Sequence, residues 1–167
     1  MPCYLAYGSN LLTSRLAARC PSARVIGTTR VPGHSLDFSK RGRDGSGKAT
    51  ITPGRGGAVG VLYDIAPTDI PALDDAEGAG KHYEKIELTL SAGPRAFTYR
   101  ALIRADGLAP FAWYLALIRA GRREHGLALD DLAHIAPLPD PQADRPAFQT
   151  ARDALMRAGY ADWRTAL

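Results

Sequence analysis

The stretch Tyr4-Leu5-Ala6-Tyr7-Gly8-Ser9-Asn10-Leu11 narrows the ways in which this chain can begin. Pro2 to Tyr7 holds aromatics and an aliphatic with too few polar residues for a solvent-facing strand, which predicts a short buried one. Gly8-Ser9-Asn10 breaks it, and Leu11 to Ala18 continues with apolar residues at helical spacing. Asn10 is the expected N-cap, its side chain accepting a bond from an orphan backbone N–H. A tight loop between a strand end and a helix start leaves N–H groups pointing outward, a concavity that attracts carboxylate or phosphate. The plainer alternative is a turn in which Gly8 serves only the backbone.

Glycine and proline punctuate the rest of the chain. The first helix should stop near Cys20-Pro21, because proline disfavours helix in the residue before it. Strands are predicted over Arg24 to Val31, His34 to Ser39, Ala49 to Thr52 and Ala58 to Ile65. The basic, glycine-rich stretch Lys40 to Lys48 between them reads as an exposed loop. A second helix runs from Asp69 to Ala76, capped by Thr68, with Pro71 in its first turn and Gly78 and Gly80 ending it. His82 to Ser91 and Ala96 to Ala105 alternate as a hairpin turned at Gly93-Pro94. Pro110 then opens a helix to about His125, Leu129 to Ile135 a short one, and Pro146 to Tyr160 a last amphipathic one. Ala136 to Arg145 reads as a surface connection. The expected architecture is α+β, one domain over 1–167, its sheet strongly curled or closed as a small mixed β-barrel with flanking helices, and 136–167 a connection and helical tail.

Composition removes several function classes. The excess of 21 Lys and Arg over 17 Asp and Glu gives +4, too little for a nucleic-acid reader without a basic stripe and interleaved aromatics. Cys3 and Cys20 make neither a disulfide framework nor a metal cage, and His34, His82, His125 and His134 show no ligand spacing. No leader pattern opens the chain and no apolar run reaches membrane-span length. A cytoplasmic protein with no nucleic acid or membrane partner is expected.

Two side chains are candidates for chemistry. Glu77, in Leu73-Asp74-Asp75-Ala76-Glu77-Gly78, falls at the end of a helix, where the dipole and free carbonyls disfavour an ionised carboxylate. A general base working near neutral pH needs such a place; the alternative is a solvated helix end with Asp74, Asp75 and Glu77 all facing water. Ser9, between strand and helix, invites comparison with a nucleophile elbow, but Leu11 occupies the position of the second glycine and a histidine would have to be found. Tyr114 reads as a core aromatic whose hydroxyl wants a partner.

Tyr4 to Leu11, Leu62-Tyr63 before Leu73 to Gly78, and Tyr83 leading a strand together resemble the signature of the γ-glutamylcyclotransferase family. Tyr114, Gly121 and Glu124-His125-Gly126-Leu127 are similar to its downstream helix, so the likeness runs from about Met1 to Ile135. It implies an α+β fold around a small barrel and intramolecular acyl transfer. The free α-amine of a γ-glutamyl group attacks its own γ-amide carbonyl, giving 5-oxoproline and a free amino acid or amine, with no cofactor and no metal. By that resemblance Glu77 is the catalytic acid/base, Tyr4, Leu5, Ala6, Tyr7, Gly8 and Ser9 cradle the γ-glutamyl moiety, and Tyr114 lines the pocket. The stretch from Gly78 to His82 is one residue shorter than in animal-type relatives, which leaves the place of Tyr83 open. Asn10 points to the γ-glutamyl-amino-acid branch rather than the Tyr-Gly-Ser-Leu or Tyr-Gly-Thr-Leu branches. A cyclotransferase for another γ-glutamyl amide, or a non-catalytic binding module, are the alternatives.

Overall fold

A computed structural model describes residues 2–90 and 95–167. Its seven strands are β1 (Cys3–Ala6), β2 (Arg24–Val31), β3 (His34–Arg41), β4 (Gly47–Pro53), β5 (Ala58–Asp64), β6 (Tyr83–Thr89) and β7 (Arg95–Ala101). The helices are α1 (Thr13–Ala17), α2 (Ile70–Glu77), α3 (Ala112–Glu124) and α4 (Pro146–Arg157), with short 3-10 turns between them. The expected Gly93-Pro94 turn lies outside the described residues.

The short apolar run Cys3–Ala6 is buried throughout and sits at the centre of a five-stranded sheet of order β2-β5-β1-β7-β6. Its register runs antiparallel to β5, Tyr4 opposite Tyr63, and parallel to β7, Tyr4 opposite Phe97. The edge strand β6 alternates as the sequence predicts and carries Glu84, Lys85 and Glu87, charges that discourage edge-to-edge pairing.

The α+β class is as expected, but the sheet does not close into a barrel. β3 and β4 form a separate two-stranded sheet. β4 meets the five-stranded sheet through side chains instead of a ladder: the Ala101 amide donates to Thr50 Oγ1 at 3.0 Å. Ala49 is bonded on both sides, its amide donating to the Tyr114 hydroxyl at 3.1 Å and its carbonyl accepting from the Tyr83 hydroxyl at 2.9 Å. Hydroxyls satisfying a backbone that would otherwise pair with a neighbouring strand leave a gap there, and the site occupies it.

Several local expectations are corrected. The first helix is a 3-10 turn (Ser9–Leu11) succeeded by α1, and Asn10 is not its cap. The Thr13 amide at the start of α1 is met at 2.9 Å by the Glu124 carboxylate at the end of α3, which satisfies an orphan donor from outside the helix. Thr68 does not cap α2; Pro67 opens a 3-10 turn before it, and Asp69 instead accepts from the Ser22 amide and hydroxyl. Leu129 to Ile135 shrinks to a 3-10 turn over Asp130–Leu132. The basic stretch is not an exposed loop: β3 and β4 extend into it, and Lys40 and Ser46 are buried. The 136–145 stretch has no buried residue and is pinned by Asp140, which accepts from Trp113 Nε1 and from Nε and Nη2 along one edge of the Arg145 guanidinium.

Helix α3 lies against the Ser9–Leu11 turn with no room to spare. A Cβ at Gly121 would stand 2.5 Å from the Leu12 backbone nitrogen and 2.7 Å from the Leu11 carbonyl carbon. Alanine's intrinsic helix advantage of about 1 kcal/mol is offset by overpacking against backbone that cannot swing aside. Gly121→Ala should therefore cost about 1–3 kcal/mol net, read as a melting midpoint several degrees lower. An unchanged midpoint would show that α3 can shift freely at this contact.

Candidate active site

α2 owes its orientation to residues spaced three apart, which share a helix face. Asp74 accepts from the Tyr99 hydroxyl of β7 at 2.5 Å and from Lys85 of β6 at 2.8 Å. Glu77 therefore turns inward beside it, and only Asp75 of the three acids is exposed. Gly78 then takes φ +64°, ending the helix with its amide and that of Ala79 bonded back to Asp75 and Asp74. A left-handed residue with this pair of bonds closes the helix sharply, so Glu77 is held as its last residue instead of fraying into solvent.

The Glu77 carboxylate has two partners on one oxygen. Oε1 accepts from Asn10 Nδ2 at 2.9 Å and from Arg19 Nη1 at 3.0 Å. Asn10 also donates to the Tyr4 hydroxyl at 3.0 Å and accepts from Arg19 at 2.9 Å. Oε2 makes no hydrogen bond to any described residue. The alternative of three acids facing water thus fails for Glu77, whose side chain is 17% exposed.

That carboxylate stands where two hollows meet. The inner chamber is lined by Tyr4, Tyr7, Gly8, Ser9, Asn10, Ala49, Glu77, Tyr83, Thr98, Tyr99 and Tyr114. A wider outer cleft shares Ser9, Glu77, Tyr83 and Tyr114 with it and opens between the β3–β4 ribbon, α1, α2 and the start of α4. Of the residues singled out in the sequence, Tyr4, Tyr7, Gly8, Ser9, Glu77 and Tyr114 line the chamber. Leu5 and Ala6 do not; both are fully buried in β1 and hold the sheet together. Tyr83, whose place the sequence leaves open, lines both hollows. Gly8 is tight: a Cβ there would come within 3.1 Å of Ala49 Cβ and 3.6 Å of the Tyr114 hydroxyl.

The nucleophile-elbow alternative lacks its base, because no histidine among the described residues bonds to Ser9. His125 is engaged instead with Thr13, Tyr63 and the Leu11 carbonyl. Arg15, Arg19, Lys40 and Tyr99 were missed in the sequence. The only signal for the arginines is their i, i+4 spacing in and just beyond α1, and nothing local marks Lys40 or Tyr99. Among the described residues no three His, Cys, Asp or Glu side chains gather as metal ligands, and no helix is long and apolar enough to cross a membrane.

Burial pushes the phenols of Tyr4, Tyr7, Tyr83 and Tyr99 well above the ordinary 10.0 and Tyr114 up to about 12, and the neighbouring Glu77 carboxylate adds to the shift in all five. The folded chain keeps these protons after the unfolded chain has lost them. Their contribution to stability is full below about pH 10 and is lost as pH rises from there through about 12. Alkaline titration should show these five rings ionising together with loss of the circular dichroism signal. Ionisation of all seven tyrosines with a midpoint near the ordinary ~10, while the fold persists, would contradict the burial of the chamber.

The sequence matches the family described as "Gamma-glutamyl cyclotransferase, AIG2-like" over residues 4–111. It is 34% identical over 137 residues to a gamma-glutamylcyclotransferase of Bos taurus, covering 76% of this chain and 73% of the relative. The Homo sapiens gamma-glutamylcyclotransferase is 32% identical over the same length and shares. A solved structure named "Gamma-glutamyl cyclotransferase" superposes with a TM-score of 0.76 at 24% identity, covering 91% of this chain and 98% of that one. A crystal structure of a human protein described as uncharacterised gives 0.74 at 27% identity, covering 88% and 95%.

Proposed function

Because the chain belongs to the γ-glutamyl cyclotransferase, AIG2-like family, we propose that it converts a γ-glutamyl amide to 5-oxoproline and the free amine, with Glu77 as acid/base. The observation that carries this reading is the half-engaged carboxylate at the junction of chamber and cleft. One oxygen is fixed by Asn10 and Arg19, and the other is left for a proton.

The nucleophile and the electrophile belong to the same molecule, so what the site must supply is a folded conformation. A γ-glutamyl group in the inner chamber has its α-carboxylate near the Gly8-Ser9-Asn10 turn, where the first N–H groups of a short helical turn have no intrahelical partner. Its α-ammonium faces Glu77. Glu77 Oε2 takes a proton from that nitrogen, the freed amine forms a bond to the γ-carbonyl carbon, and the tetrahedral intermediate collapses by breaking the bond to the amide nitrogen. That nitrogen leaves with the proton Glu77 returns, the ring nitrogen gives up its second proton to the departing amine, which leaves as an ammonium, and the carboxylate is restored. The ring of high-titrating tyrosines stays neutral throughout, so Tyr4, Tyr7, Tyr83 and Tyr114 act as dipoles and walls. The leaving group departs through the outer cleft. Two free cysteines, Cys3 and Cys20, both buried, suit a reducing cytoplasm, and we assign the reaction to that compartment.

Glu77→Gln is a close test because the amide oxygen can still accept from Asn10 and Arg19 while the base is lost. 5-Oxoproline release from γ-glutamyl-alanine should fall at least about a hundredfold with the melting midpoint retained. A Gln variant that keeps a tenth of the activity would sink the assignment. The substrate's own groups offer a second check. α-Glutamyl-alanine has its α-carboxylate tied up in the amide, and N-acetyl-γ-glutamyl-alanine has no free amine, so neither should be cyclised. Turnover of the α-linked compound at a rate near that of the γ-linked one would remove the anchoring role of the Gly8–Asn10 turn.

A further inference from the structure

The outer cleft is more cationic than its own ion pairs require. Arg19 is taken by Glu77, Lys48 by Asp44 at 2.7 Å, and Arg145 by Asp140 at 2.8 Å. Three further cations line the same cleft without such a partner; Arg43 is exposed to solvent, and the other two are buried. Arg15, in α1, is 8% exposed, its guanidinium makes no hydrogen bond to any described residue, and its Nε is a buried donor left unmet. Lys40, near the end of β3, is also 8% exposed and has no carboxylate or hydrogen-bond acceptor among the described residues. Its ammonium rests 5.3 Å from the centre of the Tyr83 ring.

Burying a charge is costly unless it is paired and hydrogen-bonded. Both groups show that cost: burial lowers the Lys40 ammonium below its ordinary value and brings the Arg15 guanidinium down to about 10. Both also feel the Glu77 carboxylate, so each stands within electrostatic reach of the point where the amide bond breaks. Neither lines the inner chamber. On the cyclotransferase reading, the cleft they line takes the part of the substrate beyond the scissile nitrogen.

We propose that the outer cleft is a subsite for a leaving amino acid bearing two carboxylates, with Arg15 and Lys40 as its anion-binding residues. The proposal rests on the γ-glutamyl cyclotransferase reading and names the substrate class within it. A dicarboxylic leaving group supplies one anion for each buried, unmatched cation, while the exposed Arg43 is met by water. A monocarboxylic amino acid supplies one, and a simple γ-glutamylamine none, leaving both cations buried and bare. Charge-assisted hydrogen bonds to carboxylate are the strong kind, and losing one from an enclosed site costs about tenfold or more in binding.

The test compares kcat/KM for 5-oxoproline release from γ-glutamyl-glutamate, γ-glutamyl-alanine and γ-glutamyl-ethylamine. The expected order is glutamate, then alanine, then ethylamine, with steps of about tenfold that narrow as salt is raised. Lys40→Met and Arg15→Gln should each shrink the glutamate-to-alanine ratio about tenfold through KM. A purely structural role for either residue would lower all three substrates alike and leave the ratio intact. Should Arg15→Gln fail to fold, Lys40→Met still decides. A wild-type preference for alanine over glutamate, or a ratio that neither variant moves, overturns the subsite. If none of the three compounds yields 5-oxoproline, the cyclotransferase reading fails, and calorimetry decides the subsite separately. Tighter binding of γ-glutamyl-glutamate than of γ-glutamyl-alanine to Glu77→Gln, lost in Glu77→Gln with Lys40→Met, supports it. Equal binding overturns it.

Discussion

One side-chain amide ties the site together. Asn10, 3% exposed, commits both its N–H groups and its oxygen to three partners from three parts of the chain: Tyr4 of β1, Arg19 beyond α1 and Glu77 at the end of α2. A buried amide left partly unmet costs on the order of 1–3 kcal/mol, so these three groups are held in register with one another. The start of α1 does not draw on Asn10, because the Thr13 amide there is met by Glu124, 111 positions after Thr13. An asparagine at a helix start ordinarily turns its oxygen to the backbone. Here Asn10 lies inside the 3-10 turn, Leu12 stands at the N-cap of α1, and the Asn10 amide turns inward.

A similar substitution of side chain for backbone shapes the gap in the sheet. The Ala49 backbone is satisfied by two tyrosine hydroxyls, Tyr83 leading β6 and Tyr114 on α3. A third strand in their place would have filled the chamber with its own backbone. Hydroxyls on long aromatic arms bridge the distance instead and leave a walled space between them. The aromatic walls are rigid and cost little conformational entropy on folding, which suits a site whose task is to hold one small molecule bent.

Much of the fold was legible in the sequence. Glycine and proline clusters mark nearly every strand boundary, and the period-two pattern from Tyr83 onward gives the β6–β7 pair. The closing of the sheet was not legible, because it turns on whether Thr50 and Ala49 pair with a strand or with hydroxyls, and both options read alike along the chain. Glu77 and the Gly8–Ser9 loop stood out because an acid at a helix end and a glycine between strand and helix are locally odd. Asn10 misled for the opposite reason, since its local role as a cap is the commonest one. Lys40 and Lys48 look like solvated charges in a glycine-rich stretch. Only the tertiary fold, which sets the Tyr83 ring beside one and Trp113 and Tyr114 beside the other, shows them to be enclosed.

The central position of β1 has a consequence for how the chain is made. It is made before the other six described strands, yet its neighbours are β5 and β7, and the Leu5 carbonyl receives its bond from Thr98, 93 positions later. Until then four apolar residues with unpaired backbone wait for partners that do not yet exist. Topologies dominated by such distant pairings fold slowly and spend longer open to wrong associations. The chamber inherits this: its walls come from β1, β4, α2, β6, β7 and α3, so no fragment assembles it. Catalytic competence should arrive in a single late step, once the last of these elements has docked.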